Sequence, residues 1–216
     1  MEVNAQMVKQ LRERTGAPMM DCKAALTEAR GEIDKAVDVL RKKGLAAAAK
    51  RAGRITAEGA VGSYIHGGGK IGVLVEVNCE TDFVARTDQF QELLRDVAMH
   101  IAAADPRFVH RDEVTEDVLE RERAIFRDQA AASGKPPAVI ERIVAGKLEK
   151  YYSEFVLLEQ PFVKDSDHTV GQMIAERIGR IGENIQVRRF ARYKLGEGIE
   201  KRVDDFAAEV MAQAAK

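Results

Sequence analysis

Two glycine–lysine pairs are the first places in this sequence where nucleotide phosphates could be held. A phosphate-binding loop has the pattern G-x-x-x-x-G-K-[ST] between a strand and a helix, because backbone N–H groups and the lysine must surround the phosphates. Both pairs lack the first glycine and the final Ser or Thr, which are replaced by Tyr64 and Ile71 around Gly69-Lys70 and by Gln129 and Pro136 around Gly134-Lys135. No G-x-G-x-x-G opens a helix either, so the sequence indicates no nucleotide binding through such loops.

Histidines and cysteines are too scattered to predict a metal site. The four histidines lie in separate segments without the paired spacing of zinc ligands, and each is expected to be a surface or core-edge residue: His66, His100, His110 and His168. Cys22 and Cys79 are far apart, which is typical of a chain from a reducing compartment rather than of a disulfide framework. We therefore expect no metal and no cofactor.

Carboxylates are abundant, but their pattern favours a solvated surface. In RDEVTEDVLERERAIFRD, residues 111–128, acidic and basic side chains alternate along a predicted helix. No Ser–His–Asp or Cys–His arrangement stands out, so we expect a non-enzymatic protein. An enzyme that uses these carboxylates remains an alternative, and it would require a deep polar pocket lined by carboxylates with shifted pKa values.

Three arginines near the C-terminus could contact RNA. On a regularly alternating strand, Arg188 and Arg192 would point to one face and Arg189 to the other. Since the net charge of the chain is only -1, a protein contact or a solvated face is favoured and no nucleic acid is expected as a partner.

Length and composition are those of a soluble globular protein. The 216 residues suggest one or two domains, and 45% are hydrophobic and 32% charged. No apolar run approaches the roughly 18–20 residues of a membrane span. The first ten residues lack the character of an export or transit signal, so we expect a cytoplasmic protein without membrane contact.

The elements that position these residues begin with a small helical unit. Apolar residues recur at helical spacing in three segments of residues 1–44. Thr15–Pro18 interrupts the first pattern, Gly31 ends the second, and Gly44 is a candidate C-cap of the third. The sequence therefore predicts three short helices.

An Ala-rich, basic segment follows at residues 45–58 and has no wide apolar stripe. It predicts a helical linker or hinge in which Lys50, Arg51 and Arg54 are solvated.

From residue 59 the hydrophobic period changes to two, which is typical of strands. Residues 60–66 and 71–78 flank three glycines and predict a hairpin. Residues 184–195 predict a third strand with Ile185, Val187, Ala191, Tyr193 and Leu195 on one face.

Helices are predicted near residues 87–104, 115–132, 138–153 and 169–180, followed by an amphipathic C-terminal helix that carries Val203, Phe206, Ala207, Val210 and Met211. Since about three strands need a helical layer to be stable, the predicted class is α+β: a three-helix head, a linker and a small antiparallel sheet covered by helices.

Two strings identify a resemblance. LRERTGAPMMDCKAAL, residues 11–26, and EVNCETDFVAR, residues 76–86, closely resemble the elongation factor Ts family. Segments including GSYIHGGGKIGVLVEV and GENIQVRRF are also similar, and together they cover nearly the whole chain in family order.

This resemblance implies an exchange factor that binds elongation factor Tu in its GDP-bound and nucleotide-free forms, displaces Mg²⁺ and promotes GDP release. It implies a ubiquitin-associated-like head at residues 1–52, a core at 53–198 and a C-terminal helical module at 199–216. The head is expected to dock on the GTPase through Arg12, Met19, Met20 and Lys23. The turn that acts against the magnesium and phosphate site is expected to be Thr81, Asp82, Phe83 and Val84.

Taken without the resemblance, the same residues allow simpler interpretations. Phe83 could be a core residue that covers the sheet, and Asp82 could cap the next helix. Met19 and Met20 project about 100° apart on a helix, so one of them can pack inward. A non-catalytic scaffold with a ubiquitin-associated-like head is the alternative function.

The long form of the family has two core repeats, whereas this sequence indicates one sheet module. Because short members are thought to complete their grip by dimerising, a homodimer is a further expectation.

Overall fold

The N-terminal residues form three helices around a small apolar core. The structure is a computed structural model in which residues 3–132 and 134–199 are described. Helix α1 spans Ala5–Thr15, α2 spans Met19–Glu28 and α3 spans Ile33–Arg51. Asn4 caps α1 by accepting a hydrogen bond from the N–H of Met7, and Gly16 ends it in the left-handed conformation. The core of this unit consists mainly of Val8, Leu11, Cys22, Ala25, Leu26 and Ala36.

Helix α3 continues seven residues beyond Gly44, so the predicted C-cap at that glycine is wrong. Of the predicted helical linker, residues 45–58, only residues 45–51 are helical and they form the end of α3, where Ala48 is buried in the core of the sheet unit. Lys50 and Arg54 are exposed as expected, whereas Arg51 is half-buried.

A three-stranded antiparallel sheet with the order β1-β2-β5 confirms the predicted sheet. Strand β1 spans Glu58–His66, β2 spans Ile71–Cys79 and β5 spans Ile185–Lys194. The turn between β1 and β2 contains three consecutive glycines with positive φ angles. One face of the sheet carries Val73, Val75 and Val77 and packs against helix α5, Asp88–Ala104.

A β-bulge in β5 changes which side chains face the core. Val77 pairs with Val187 and Glu76 pairs with Arg189, so Arg188 is the extra residue. Ile185 and Val187 face the core as predicted, but beyond the bulge the core-facing residues are Phe190 and Arg192. The prediction that Ala191, Tyr193 and Leu195 share a face with Ile185 and Val187 is therefore wrong, because an inserted residue reverses the alternation.

The remaining elements complete an α+β fold. A single turn, α4, spans Asp82–Ala85, and α6, Glu116–Ala131, forms a helical hairpin with α7, Pro137–Phe155. A two-stranded hairpin that the sequence did not predict, β3 at Pro161–Phe162 and β4 at Asp165–Thr169, precedes α8 at Val170–Ile181.

Helix α8 packs against α3 and so connects the helical unit with the sheet unit. Among the described residues, no helix is both long enough and apolar enough to span a bilayer. The predicted C-terminal helix, with Val203 and Phe206, lies outside the described residues.

Candidate functional site

The segment Thr81–Val84 forms an exposed turn directly after strand β2. Thr81 has extended backbone angles, and its hydroxyl oxygen accepts a hydrogen bond from the N–H of Val84 at 3.4 Å. Thr81 is therefore the N-cap of α4, and Asp82 is the first helical residue. Helix α5 is capped by Thr87. The alternative that Asp82 caps the next helix is wrong.

Phe83 projects from this turn into solvent. It is 78% exposed and is absent from the hydrophobic cores of the described residues, whereas Val84 packs against the core and Ala85 is buried. The alternative that Phe83 covers the sheet is wrong. An exposed phenylalanine on a turn anchored by its neighbours is suited to insertion between side chains of a partner.

The carboxylate of Asp82 lies at the surface beside Phe83. It pairs with Arg86 at 2.8 Å, one turn further along the chain, and both side chains are largely solvated. Because such an exposed pair contributes only about 0–1 kcal/mol, Asp82 can exchange Arg86 for a group on a partner at little cost.

The backbone before Phe83 is held by a glutamate from a distant segment. The N–H and the hydroxyl of Thr81 donate to the two carboxylate oxygens of Glu183 at 3.0 and 2.7 Å. The Cys79 thiol donates to the carbonyl of Thr81 at 3.1 Å. Burial, and then the charge of Glu183, raise the pKa of Cys79 to about 11, so this thiol keeps its proton at neutral pH.

A second carboxylate fixes the end of β2. Glu80 accepts the backbone N–H of Asn184 at 2.6 Å and lies 3.3 Å from Arg54. The hydrogen bond from Asn184 and the charge of Arg54 hold the pKa of Glu80 below its usual value. Sequence reasoning assigned no role to Glu80, Glu183 or Asn184. The only signal was their position in the strings EVNCETDFVAR and GENIQVRRF.

The four residues predicted to dock on a partner form a second exposed group on the helical unit. Arg12 lies near the end of α1, and Met19, Met20 and Lys23 lie in the first turns of α2. Neither methionine packs inward: Met19 and Met20 are both exposed, Met20 by 74%, and the first buried residue of α2 is Cys22. Exposed methionines offer adaptable apolar contacts.

No hydrogen bond or ion pair within residues 3–132 and 134–199 joins these two groups. The turn residues lie at the start of α4, and the predicted docking residues lie on α1 and α2. The two predicted groups are therefore carried by different elements.

Two cavities of the described residues have charged side chains in their linings. A cavity of about 360 Å³ between the helical unit and α8 has Arg41, Arg51 and Arg180 in its lining, together with the carboxylates Asp21 and Glu176. In another of about 390 Å³, hydrogen bonds from Arg189 and Arg188 lower the pKa of Glu76, so that this carboxylate stays ionised and unsuited to donate a proton. Nor does the described part of the chain group three or more metal-ligating side chains that could hold an ion.

The fold and this site define an α+β protein with a small helical head whose candidate residues project from the surface instead of lining a cavity. The elongation factor TS family model matches residues 3–197. The chain is 63% identical over 212 residues to elongation factor Ts of Desulforamulus reducens, covering 98% of each chain. It is 61% identical over 214 residues to elongation factor Ts of Geobacter metallireducens, covering 99% of each. This chain belongs to the elongation factor Ts family.

Proposed function

We propose that this chain releases GDP from elongation factor Tu by pushing the turn Thr81–Val84 toward the magnesium and phosphate site of that GTPase. Family membership implies the broad role, nucleotide exchange on elongation factor Tu in translation elongation. The proposal adds the residues and the physical step. The observation that carries it is the exposure of Phe83 on a turn that is held before Phe83 by the hydrogen bonds of Thr81 and after it by the packing of Val84 on the core.

The energetic requirement is differential binding. A GTPase holds its nucleotide mainly through phosphate oxygens and Mg²⁺. A partner accelerates release only if it binds the emptied GTPase better than the loaded one, and linkage then makes the nucleotide weaken partner binding by the same factor. A thousandfold effect corresponds to about 4 kcal/mol. One buried aromatic anchor together with displacement of the metal can supply this amount.

The residues of the turn divide this work. Phe83 inserts between partner side chains and gains apolar contact that it lacks in the free chain. Asp82 leaves Arg86 and accepts hydrogen bonds that otherwise support the metal site. Thr81 and Val84 remain attached to their own core and transmit the push.

The helical head supplies affinity away from the nucleotide. We propose that residues 1–52 dock on the nucleotide-binding domain through Arg12, Met19, Met20 and Lys23, while residues 53–198 form the core that grips the GTPase. Residues 199–216 complete the proposed division as a C-terminal module.

A second copy of the chain is the proposed occupant of the outer sheet face. This face carries four exposed apolar side chains from all three strands, namely Val61, Ile65, Leu74 and Tyr193. Opposite it, α5 covers the inner face. An exposed apolar patch is a candidate protein interface, and a twofold dimer would bury the same patch on both copies.

The exchange proposal is tested by the release of a fluorescent GDP analogue from elongation factor Tu in the presence of catalytic amounts of this chain. Asp82→Ala combined with Phe83→Ala should lower the accelerated rate by at least about a hundredfold, since an anchor worth about 3 kcal/mol is removed. Val163→Ala is the matched control, because Val163 is an exposed apolar residue on the β3–β4 hairpin. Unchanged acceleration by the folded double variant would remove the turn from the mechanism.

A further inference from the structure

The short connection between α8 and β5 contacts three parts of the molecule. Gly182 ends α8 in the left-handed conformation, and Glu183 and Asn184 follow before β5 begins. These two residues reach the exposed turn, the end of β2 and the end of α3. The proposed mechanism has so far used neither of them.

Glu183 makes the contact with the turn. Each of its carboxylate oxygens accepts one hydrogen bond from Thr81, one from the N–H and one from the hydroxyl. Because the hydroxyl proton is donated to Glu183, the hydroxyl oxygen is left to accept the N–H of Val84. One carboxylate therefore fixes both the entry of the turn and its cap.

Asn184 connects the same segment with the helical head. Its side-chain amide donates to the carbonyl of Arg54 at 2.9 Å and to that of Ala52 at 3.4 Å, just beyond the end of α3. Its backbone N–H donates to Glu80 at the end of β2. Asn184 is 2% exposed, so these bonds are made away from competing water.

We propose that Glu183 and Asn184 are positioning residues for nucleotide exchange, which hold the turn of Phe83 at a fixed place relative to the docking head; this inference rests on the proposed function. Phe83 makes no core contact that would set its own direction, and α4 is only four residues long. The direction of Phe83 is therefore set by the backbone of its neighbours, and Glu183 holds the neighbour at the entry of the turn, Thr81, through two hydrogen bonds. A mobile turn would hold Phe83 in the position needed for exchange for only a fraction of the time. The rate of GDP release would then be reduced to that fraction.

Glu183→Gln tests this role with little change in shape. The NH₂ group that replaces one carboxylate oxygen cannot accept a hydrogen bond, so one of the two donors of Thr81 loses its partner. The maximal rate of GDP release should fall about tenfold, because small misplacements of an acting group are costly. The concentration that gives half the maximal rate should change less than about threefold, since Arg12, Met19, Met20 and Lys23 are untouched. Glu197→Gln, at an exposed position after β5, is the matched control.

A double-mutant comparison separates positioning from general destabilisation. In a Phe83→Ala background, Glu183→Gln should lower the rate less than about threefold, because of the two acting side chains that it positions only Asp82 remains. An equal tenfold loss in both backgrounds would overturn the proposal, as would an unchanged rate for Glu183→Gln alone.

Amide hydrogen exchange of the free chain provides a measurement without the GTPase. Glu183→Gln should accelerate exchange at the amides of Thr81 and Val84 at least about tenfold, and Asn184→Ala should accelerate exchange in residues 52–54. Glu197→Gln should change neither. Unaltered exchange at Thr81 and Val84 would overturn the positioning role.

The two measurements also separate this inference from the proposed function. If the wild-type chain does not accelerate GDP release, the proposed function fails and the positioning role in exchange is overturned with it. Faster hydrogen exchange in Glu183→Gln would then show a structural anchor only. If the wild type is active and Glu183→Gln equals it, the proposed function stands and this inference alone falls.

Discussion

At the scale of single residues, His100 joins a buried polar network. Its Nε2–H donates to the Oε1 atom of Gln160 at 2.9 Å, and its Nδ1 accepts the N–H of Val163 at 3.3 Å. The side-chain amide of Gln160 donates in turn to the carbonyls of Ala104 and Glu154. His100 is fully buried, so its predicted place at the surface or core edge is wrong. Both ring nitrogens have hydrogen-bond partners only when the ring is neutral and carries its proton on Nε2.

This network makes the stability of the protein depend on pH. Burial lowers the pKa of His100 below its ordinary value near 6.5, although the bond to Gln160 opposes the shift. Below about pH 6.5 the unfolded chain therefore binds a proton that the folded chain resists. The stabilising contribution is complete above that pH and is lost as the pH falls.

We predict that the free energy of unfolding of the wild type decreases between pH 6.5 and 5 more steeply than that of His100→Gln. The difference in slope should approach about 1.4 kcal/mol per pH unit, the value for one proton. Urea unfolding at several pH values measures it. Asp96, one turn before His100 and paired with Lys164, is present in both proteins. Identical slopes would show that His100 does not resist protonation.

Single-residue roles were predictable only where a short pattern sets them. The string TDFVAR was enough to single out Phe83, and the structure places that side chain in solvent. The partner of Thr81 was not predictable, because Glu183 is 102 residues away and nothing local specifies a contact over that distance.

At the scale of elements, the crossing of α3 and α8 is set by two glycines. A Cβ atom added at Gly179 would lie 2.8 Å from the Cα of Gly44. A Cβ atom at Gly44 would have only ordinary contacts, the nearest being 3.8 Å from the Cα of Glu176. The two glycines are therefore not equivalent, although both lie within helices.

We predict opposite effects for the two alanine variants. Gly179→Ala should lower the free energy of unfolding by about 1–3 kcal/mol, because the backbone of α3 must move away. Gly44→Ala should be neutral or stabilising by up to about 1 kcal/mol, since alanine is the better helix former. Urea denaturation at constant pH compares them. A larger decrease in the free energy of unfolding for Gly44→Ala than for Gly179→Ala would contradict this difference between the two glycines.

The types of the elements were predictable from periodicity, whereas the predicted end of α3 was wrong and the bulge in β5 was not predicted. Glycine near a helix end is typical of a C-cap, but Gly44 lies inside α3, where the backbone of Gly179 on α8 packs closely against it. The bulge at Arg188 left no mark in the alternation of the sequence. In the structure, Arg188 and Arg189 both form ion pairs with Glu76 on the neighbouring strand. Arg192 consequently points inward, where it donates to the carbonyl of Ala102.

At the scale of the whole molecule, the head and the turn belong to one connected framework. Helix α3 carries the head on its first half and packs on α8 with its second half. Helix α8 leads into Glu183 and Asn184, which fix the turn of Phe83. Hydrophobic pattern predicted the two units, but the contact between them depends on small residues whose role no periodicity reveals.

The outer face of the sheet leads to a prediction about assembly. Val61 on β1 and Tyr193 on β5 are 68% and 71% exposed on this face. Ile65 on β1 and Leu74 on β2 are exposed on the same face. A stable dimer interface buries about 1,200–2,000 Å² in total and has an apolar centre.

Light scattering should give the wild type twice the mass of one chain at micromolar concentration. Leu74→Glu should give the mass of one chain, because an unpaired carboxylate in that centre costs several kcal/mol. Leu45→Glu, at an exposed leucine on α3, should leave the dimer intact. A monomeric wild type, or a dimer that survives Leu74→Glu, would show that a second copy does not cover this face.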